Sequence, residues 1–219
     1  MNDPMTNPVA RGGQDGQNNQ ARDLVDLVLV EAVGSSVTPF VPLPFVDDYL
    51  FARLLRRITR KVIERAKQPV DEPVVRAVVD AYVGAGESGL GERTLTAAAR
   101  FVIRKVAVVL DVKRSHDVFG EAIAFALALD VAVRLETLSS GTAASVGAAI
   151  HRATKSVGAA ALEVITRAGR EAFTASEGAA ESSRYARVAG AIGRQVDDAS
   201  AKLDRLMRHE LSVAPGLRH

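Results

Sequence analysis

The run Gly84-Ala85-Gly86-Glu87-Ser88-Gly89 has the G-x-G-x-x-G spacing that lets a backbone turn approach a dinucleotide pyrophosphate. Such a turn needs a strand before it, a helix after it and an acidic residue about 20 positions further on. VVRAVVDAYV, LGERTLTAAARFV and KVAVVLD could take the strand, helix and strand places, with Asp111 as the ribose-binding acid. Three features oppose this. Asp80 would place an unpaired charge inside a buried strand, where it is expensive. Gly91, Glu92 and Arg93 would open the helix where small apolar residues pack on a sheet. The rest of the chain reads as helix and offers no strands to widen that sheet. A nucleotide-binding oxidoreductase is therefore a remote alternative, and the segment is expected to be an interhelical loop. The related phosphate loop fails because Leu90 and Gly91 stand where Lys and Ser or Thr are needed.

Other residues with chemical potential are scattered. His116, His151, His209 and His219 are far apart, and none is spaced with a carboxylate as metal ligands are. His116 and Asp117 read as capping residues near a helix start. Asp197 and Asp198 read as part of a solvated helix face. There is no G-x-S-x-G elbow. The absence of Cys removes disulfides, thiolate metal sites and a Cys nucleophile, and it fits a reducing compartment. The expectation is a non-enzymatic chain with no catalytic, metal or cofactor-binding residues.

The best functional candidate is a surface. In PFVDDYLFARLLRRITRKVIERAKQ, from Pro44 to Gln68, Phe51, Leu54, Leu55, Ile58, Val62, Ile63 and Ala66 share one side at helical spacing. Arg53, Arg56, Arg57, Arg60, Lys61, Arg65 and Lys67 take most of the other. Asp47 and Asp48 fall in the first turn, where carboxylates suit the helix dipole. A cationic face beside an apolar one is what interfacial helices present to anionic lipid. The preceding SSVTPFVPLPF, kept irregular by its prolines, could add apolar insertion through Phe40, Leu43 and Phe45. The expected partner is an anionic membrane surface or an acidic protein. The bland alternative is that the apolar side packs on the protein's own core and the arginines are solvated. Nucleic acid is disfavoured, because no interleaved aromatics or reader motif accompany the charges.

These candidates need elements to hold them, and the chain reads as all-α: a bundle of about six to seven helices. Its 219 residues are enough for a real core. With aromatics at 5% and no Trp, that core must be built from Ala, Val, Leu and Ile. Residues 1–20 are polar and read as a disordered tail. ARDLVDLVLVEAVG follows, helix preferred over strand, with Asp23 as cap and Gly34 as stop. Asp71 caps a helix over Pro73–Val83, and a further helix is expected over Glu92–Val112.

From Ser115 to Leu138 the large residues alternate as in a strand. The interleaved alanines favour a buried central helix instead. From 142 onward two Ala-rich helices, about 142–176 and 179–212, form a hairpin. In the first, Gly147, Gly158 and Gly169 recur every eleven residues, so one face should run straight along it. Its apolar residues Val146, Ile150, Val157, Ala161 and Val164 are expected to pack on other helices or to support a homo-oligomer. The expected organisation is a tail to 20, a helical core over 21–140, the hairpin over 141–213 and a short tail over 214–219. No stretch has the roughly 20 apolar residues of a membrane span. The expected location is cytoplasmic, peripheral at the inner face of the membrane. The expected role is interaction, with a soluble self-associating or partner-binding scaffold as the alternative.

Overall fold

A helix carrying apolar residues on every side has to be surrounded by other elements. Residues 122–133 make such a helix, and in the computed structural model, which describes residues 11–36, 46–85, 107–175 and 181–214, it is the centre of the fold. Seven helices occupy the described residues: α1 (Arg11–Ser36), α2 (Val46–Arg65), α3 (Glu72–Ala85), α4 (Ala107–Arg134), α5 (Ala143–Val157), α6 (Ala159–Ala175) and α7 (Glu181–Val213). Among those residues there is no strand. Helix α4 packs against α1, α2, α5, α6 and α7. Ile123, Phe125, Leu127 and Leu129 are buried, and so are the alanines between them. Each large side chain removed from water in this way contributes about 1.5–3 kcal/mol. The alternation of large residues is thus a property of a fully enclosed helix.

Several boundaries differ from the sequence expectation. Helix α1 opens at Arg11, within the segment read as tail, and Met1 to Ala10 lie outside the described residues. Asp23 is therefore an interior residue, and Gly34 is passed before the helix ends at Ser36. A single glycine costs only about 1 kcal/mol in a helix. Packing of Leu24, Val25, Val28, Leu29 and Ala32 into the core outweighs it. Helix α4 likewise runs unbroken through His116 and Asp117, so neither stands at a helix start. The helix expected over Glu92–Val112 falls mostly outside the described residues, its last part belonging to α4.

The first arm of the hairpin is two helices. Gly158 adopts φ +89°, a left-handed backbone that favours glycine, and separates α5 from α6. The Val157 carbonyl freed there accepts a hydrogen bond from Lys202 Nζ of α7 at 2.7 Å. Both α5 and α6 pack on α7, so the hairpin persists across the break. Val146, Ile150 and Val157 are buried, while Ala161 and Val164 are half-buried. The eleven-residue glycines do not form one continuous face. A Cβ on Gly147 would collide with the Val78 carbonyl of α3, and one on Gly169 would press on Ile192 of α7. The buried side chains on both sides of Gly141 belong to one contiguous cluster.

Helices α2 and α4 end alike. Lys67 (φ 57°) and Glu136 (φ 54°) take the left-handed position after each helix. Gln68 N then donates to the Ile63 carbonyl at 3.2 Å, and Thr137 N to the Ala132 carbonyl at 3.2 Å. These bonds satisfy the last carbonyls of each helix.

Candidate interaction surface

Helix α2 buries Leu55, Ile58, Val62 and Ile63, with Phe51 packed against the core from its edge. Leu54 is half-buried and Ala66, just past the helix, is exposed. Thr59 is also fully buried, its hydroxyl donating to the Leu55 carbonyl at 2.8 Å. At 3.6 residues per turn the cations opposite this face fall into a crest and two flanks.

The flanks are occupied. Toward α3, Arg56 Nη2 reaches Asp80 Oδ1 at 2.9 Å. Arg60 holds Glu72 in a fork, Nε to Oε1 at 2.6 Å and Nη2 to Oε2 at 2.8 Å. The hydrogen bonds from Arg60, with the added charges of Arg76 and Arg56, keep the Glu72 carboxyl below its usual range. Toward α1, Lys61 Nζ donates to Glu31 Oε2 at 2.9 Å and to the Leu27 carbonyl at 3.1 Å. Glu31 is only 8% exposed, so Lys61 neutralises a buried carboxylate. Arg65 donates to the Gln20 carbonyl at 2.9 Å and lies 3.5 Å from Asp130 of α4. From Asp130 the pairing continues through Arg134 (2.9 Å) to Asp204 (3.5 Å) and Arg208 (2.7 Å) on α7.

Within α2, Arg53 and Arg57, on the crest, are exposed and have no anionic partner among the described residues. Of the nine residues expected to form the membrane or partner surface, the structure ties Arg56, Arg60, Lys61 and Arg65 to carboxylates of α3, α1 and α4. It leaves Arg53 and Arg57 open to solvent. Phe40, Leu43 and Phe45 lie outside the described residues. No described helix is long and apolar enough to cross a membrane.

The strands that a dinucleotide turn requires are helical: residues 74–83 belong to α3, and 107–111 to α4. Residues 86–89 of the glycine run lie outside the described residues. Among the described residues no three His, Asp or Glu side chains converge as a metal site.

A polar cluster that spacing did not reveal sits between α3, α4 and α5. The Tyr82 hydroxyl donates to Glu121 Oε1 at 2.8 Å, with the Phe125 ring edge-on at 4.8 Å and the His151 ring at 5.5 Å. Burial, then the Glu121 charge, push the Tyr82 phenol well above its ordinary range. Burial and the Lys155 charge lower His151. The Tyr82–Glu121 hydrogen bond and the two ring contacts tie α3, α4 and α5 together.

A second surface was also not legible from the sequence. Helices α1 and α7 pack side by side and leave a groove of about 400 Å³ between them. Leu29 and Val30 of α1 face Ala186, Ala189, Gly190 and Gly193 of α7 across it. Arg22 bridges the groove to Asp197 at 2.8 Å, so Asp197 is paired while Asp198 is exposed. Val30 is 58% exposed beside this apolar channel. No known protein family, curated protein or solved structure matches the chain.

Proposed function

We propose that this chain is a non-enzymatic helical interaction protein that docks another polypeptide through the face formed by α1 and α7. The observation that carries this reading is Val30, 58% exposed on the rim of an apolar groove. The groove holds about 400 Å³ and is lined on the α7 side by Ala186, Ala189, Gly190 and Gly193. The test is a photo-crosslinking side chain introduced at position 30, with position 57 on the α2 crest as comparison. Protein adducts at 30 and not at 57 are the expected result. Adducts at neither position would remove the reading.

A second reading is peripheral attachment to an anionic membrane surface through α2. Arg53 and Arg57, unpaired on the crest, support it, as does Tyr49, 60% exposed on the same helix. Against it stand the four flanking cations, each already held by a carboxylate of the same chain. Co-sedimentation with anionic vesicles at low and high salt tests it. Salt-sensitive binding that disappears in Arg53→Gln/Arg57→Gln would favour the membrane, and equal partition with and without vesicles would dismiss it.

A further inference from the structure

Gly190 lies in the interior of α7, where glycine costs about 1 kcal/mol relative to alanine. Other glycines of the C-terminal helices have reasons within the fold. A Cβ at Gly169 would stand 3.2 Å from Ile192, and one at Gly193 would stand 3.0 Å from Arg22. Gly190 has no such neighbour: its open side meets only the far end of Arg194, at 3.9 Å. It lines the groove close to Val30. The backbone of α7 therefore lies bare at this point of the surface.

Charge is laid out along the same face. On α1, Asp23 and Asp26 are exposed and have no cationic partner among the described residues. Burial, and then the neighbouring Asp23, raise the Asp26 carboxyl. On α7, Arg187 and Arg194 are exposed and have no anionic partner among the described residues. At 3.6 residues per turn, Asp23, Asp26 and Val30 lie within about 60° of one another on α1. By the same count Arg187, Gly190 and Arg194 lie within about 60° on α7. The unpaired carboxylates Asp23 and Asp26 on α1 thus lie across the groove from the unpaired cations Arg187 and Arg194 on α7, with the Arg22–Asp197 pair between the helices and Asp198 exposed further along α7.

We infer that this face is the contact between two copies of the chain, related by a two-fold axis through the groove. A half-turn about that axis sets α1 of one copy on α7 of the other. Asp23 and Asp26 then meet Arg187 and Arg194 in two equivalent seams, and each Val30 enters the partner's groove over Gly190. Such a contact is self-complementary, as an isologous dimer requires. A partner of a single charge sign would be repelled by one of the two helices. The inference rests on the reading of α1 and α7 as the docking face, and it names the occupant.

Sedimentation velocity of the full chain over a dilution series tests it, with circular dichroism confirming that every variant is folded. The wild type is expected to interconvert between monomer and dimer. Asp23→Lys/Asp26→Lys and Arg187→Asp/Arg194→Asp should each weaken dimerisation by about tenfold or more, because both seams become like-charged. Mixing the two variants should restore a dimer, since both seams of the mixed species again join opposite charges. Gly190→Gln, which fills the groove, should also yield monomer. A wild type that stays monomeric at every concentration overturns the inference. So does a dimer indifferent to both charge reversals, or folded variants that fail to rescue each other. A monomeric wild type whose position 30 still crosslinks to a different protein overturns the second copy and leaves the docking face. Absence of both dimer and crosslink removes both.

Discussion

Replacing Lys61 by methionine keeps most of the length of the side chain and removes its charge, leaving the Glu31 carboxylate in a site 8% exposed with no cation. Breaking a fully buried ion pair from one side costs about 3–5 kcal/mol. Lys61 retains 35% of its side-chain exposure, so water softens the loss, and about 2 kcal/mol is expected. For a chain of this size that lowers Tm by about 4–8 °C. Urea unfolding followed by far-ultraviolet circular dichroism gives the free energy directly. Glu31→Met combined with Lys61→Met should recover most of the loss, because removing both charges leaves no orphan. Arg57→Gln, on the crest of the same helix, should change stability by no more than about 0.5 kcal/mol. The outcome that refutes the reasoning is a Lys61→Met cost no larger than that of Arg57→Gln, or a double-mutant cycle without coupling. The pairs on the flanks of α2 would then be incidental, and its cations as free for an external surface as their sequence suggests.

Gly147→Ala should destabilise by about 1–3 kcal/mol in a denaturant titration, although alanine is the better helix former, because the new Cβ meets the Val78 carbonyl. Lys67→Gly and Glu136→Gly should each raise stability by about 1 kcal/mol, relieving a left-handed conformation that L-residues resist; an unchanged or lower Tm would count against this. His151, with its pKa lowered by burial and by Lys155, binds protons less readily folded than unfolded. Its contribution is therefore complete above the ordinary pKa of 6.5 and declines as pH falls below it. His151→Gln should flatten that part of a stability profile between neutral and mildly acidic pH, and an identical slope in both proteins would exclude His151 as its source.

Much of the fold was legible in the sequence because local pattern and tertiary demand agree. Helix α2 shows this best: Leu55, Ile58, Val62 and Ile63 lie on one side at a helical period, and they are the residues buried. Helix α4 was legible for another reason. Its large residues alternate like a strand, but alanine between them is a poor strand residue, and full enclosure explains the lack of a polar face. Boundaries were less legible. Gly34 and Gly158 are both glycines in helical surroundings, yet α1 runs through the first and α5 ends at the second. The Gly158 break is matched by Lys202 from a distant segment, which local sequence does not reveal. The candidate site was legible only as one side of each pair. Spacing shows that α2 is basic opposite its apolar face, but the positions of Asp80, Glu72, Glu31 and Asp130 depend on how α3, α1 and α4 pack. The α1–α7 groove joins residues more than 150 positions apart in the chain, beyond the reach of any motif.

Sign distinguishes the two surfaces further. An anionic bilayer selects for a face of one charge, and cations already hydrogen-bonded to carboxylates would have to exchange those partners for headgroups. That exchange returns little, since Arg60 would give up a two-point fork with Glu72 and Lys61 would expose a buried Glu31 to repulsion. The α1–α7 face carries both signs, and Asp23, Asp26, Arg187 and Arg194 on it still lack a partner among the described residues. Opposite pairs of this kind attract each other only when one is turned onto the other. The arrangement that satisfies Asp23, Asp26, Arg187 and Arg194 together also brings Val30 over Gly190, where the backbone of α7 lies bare.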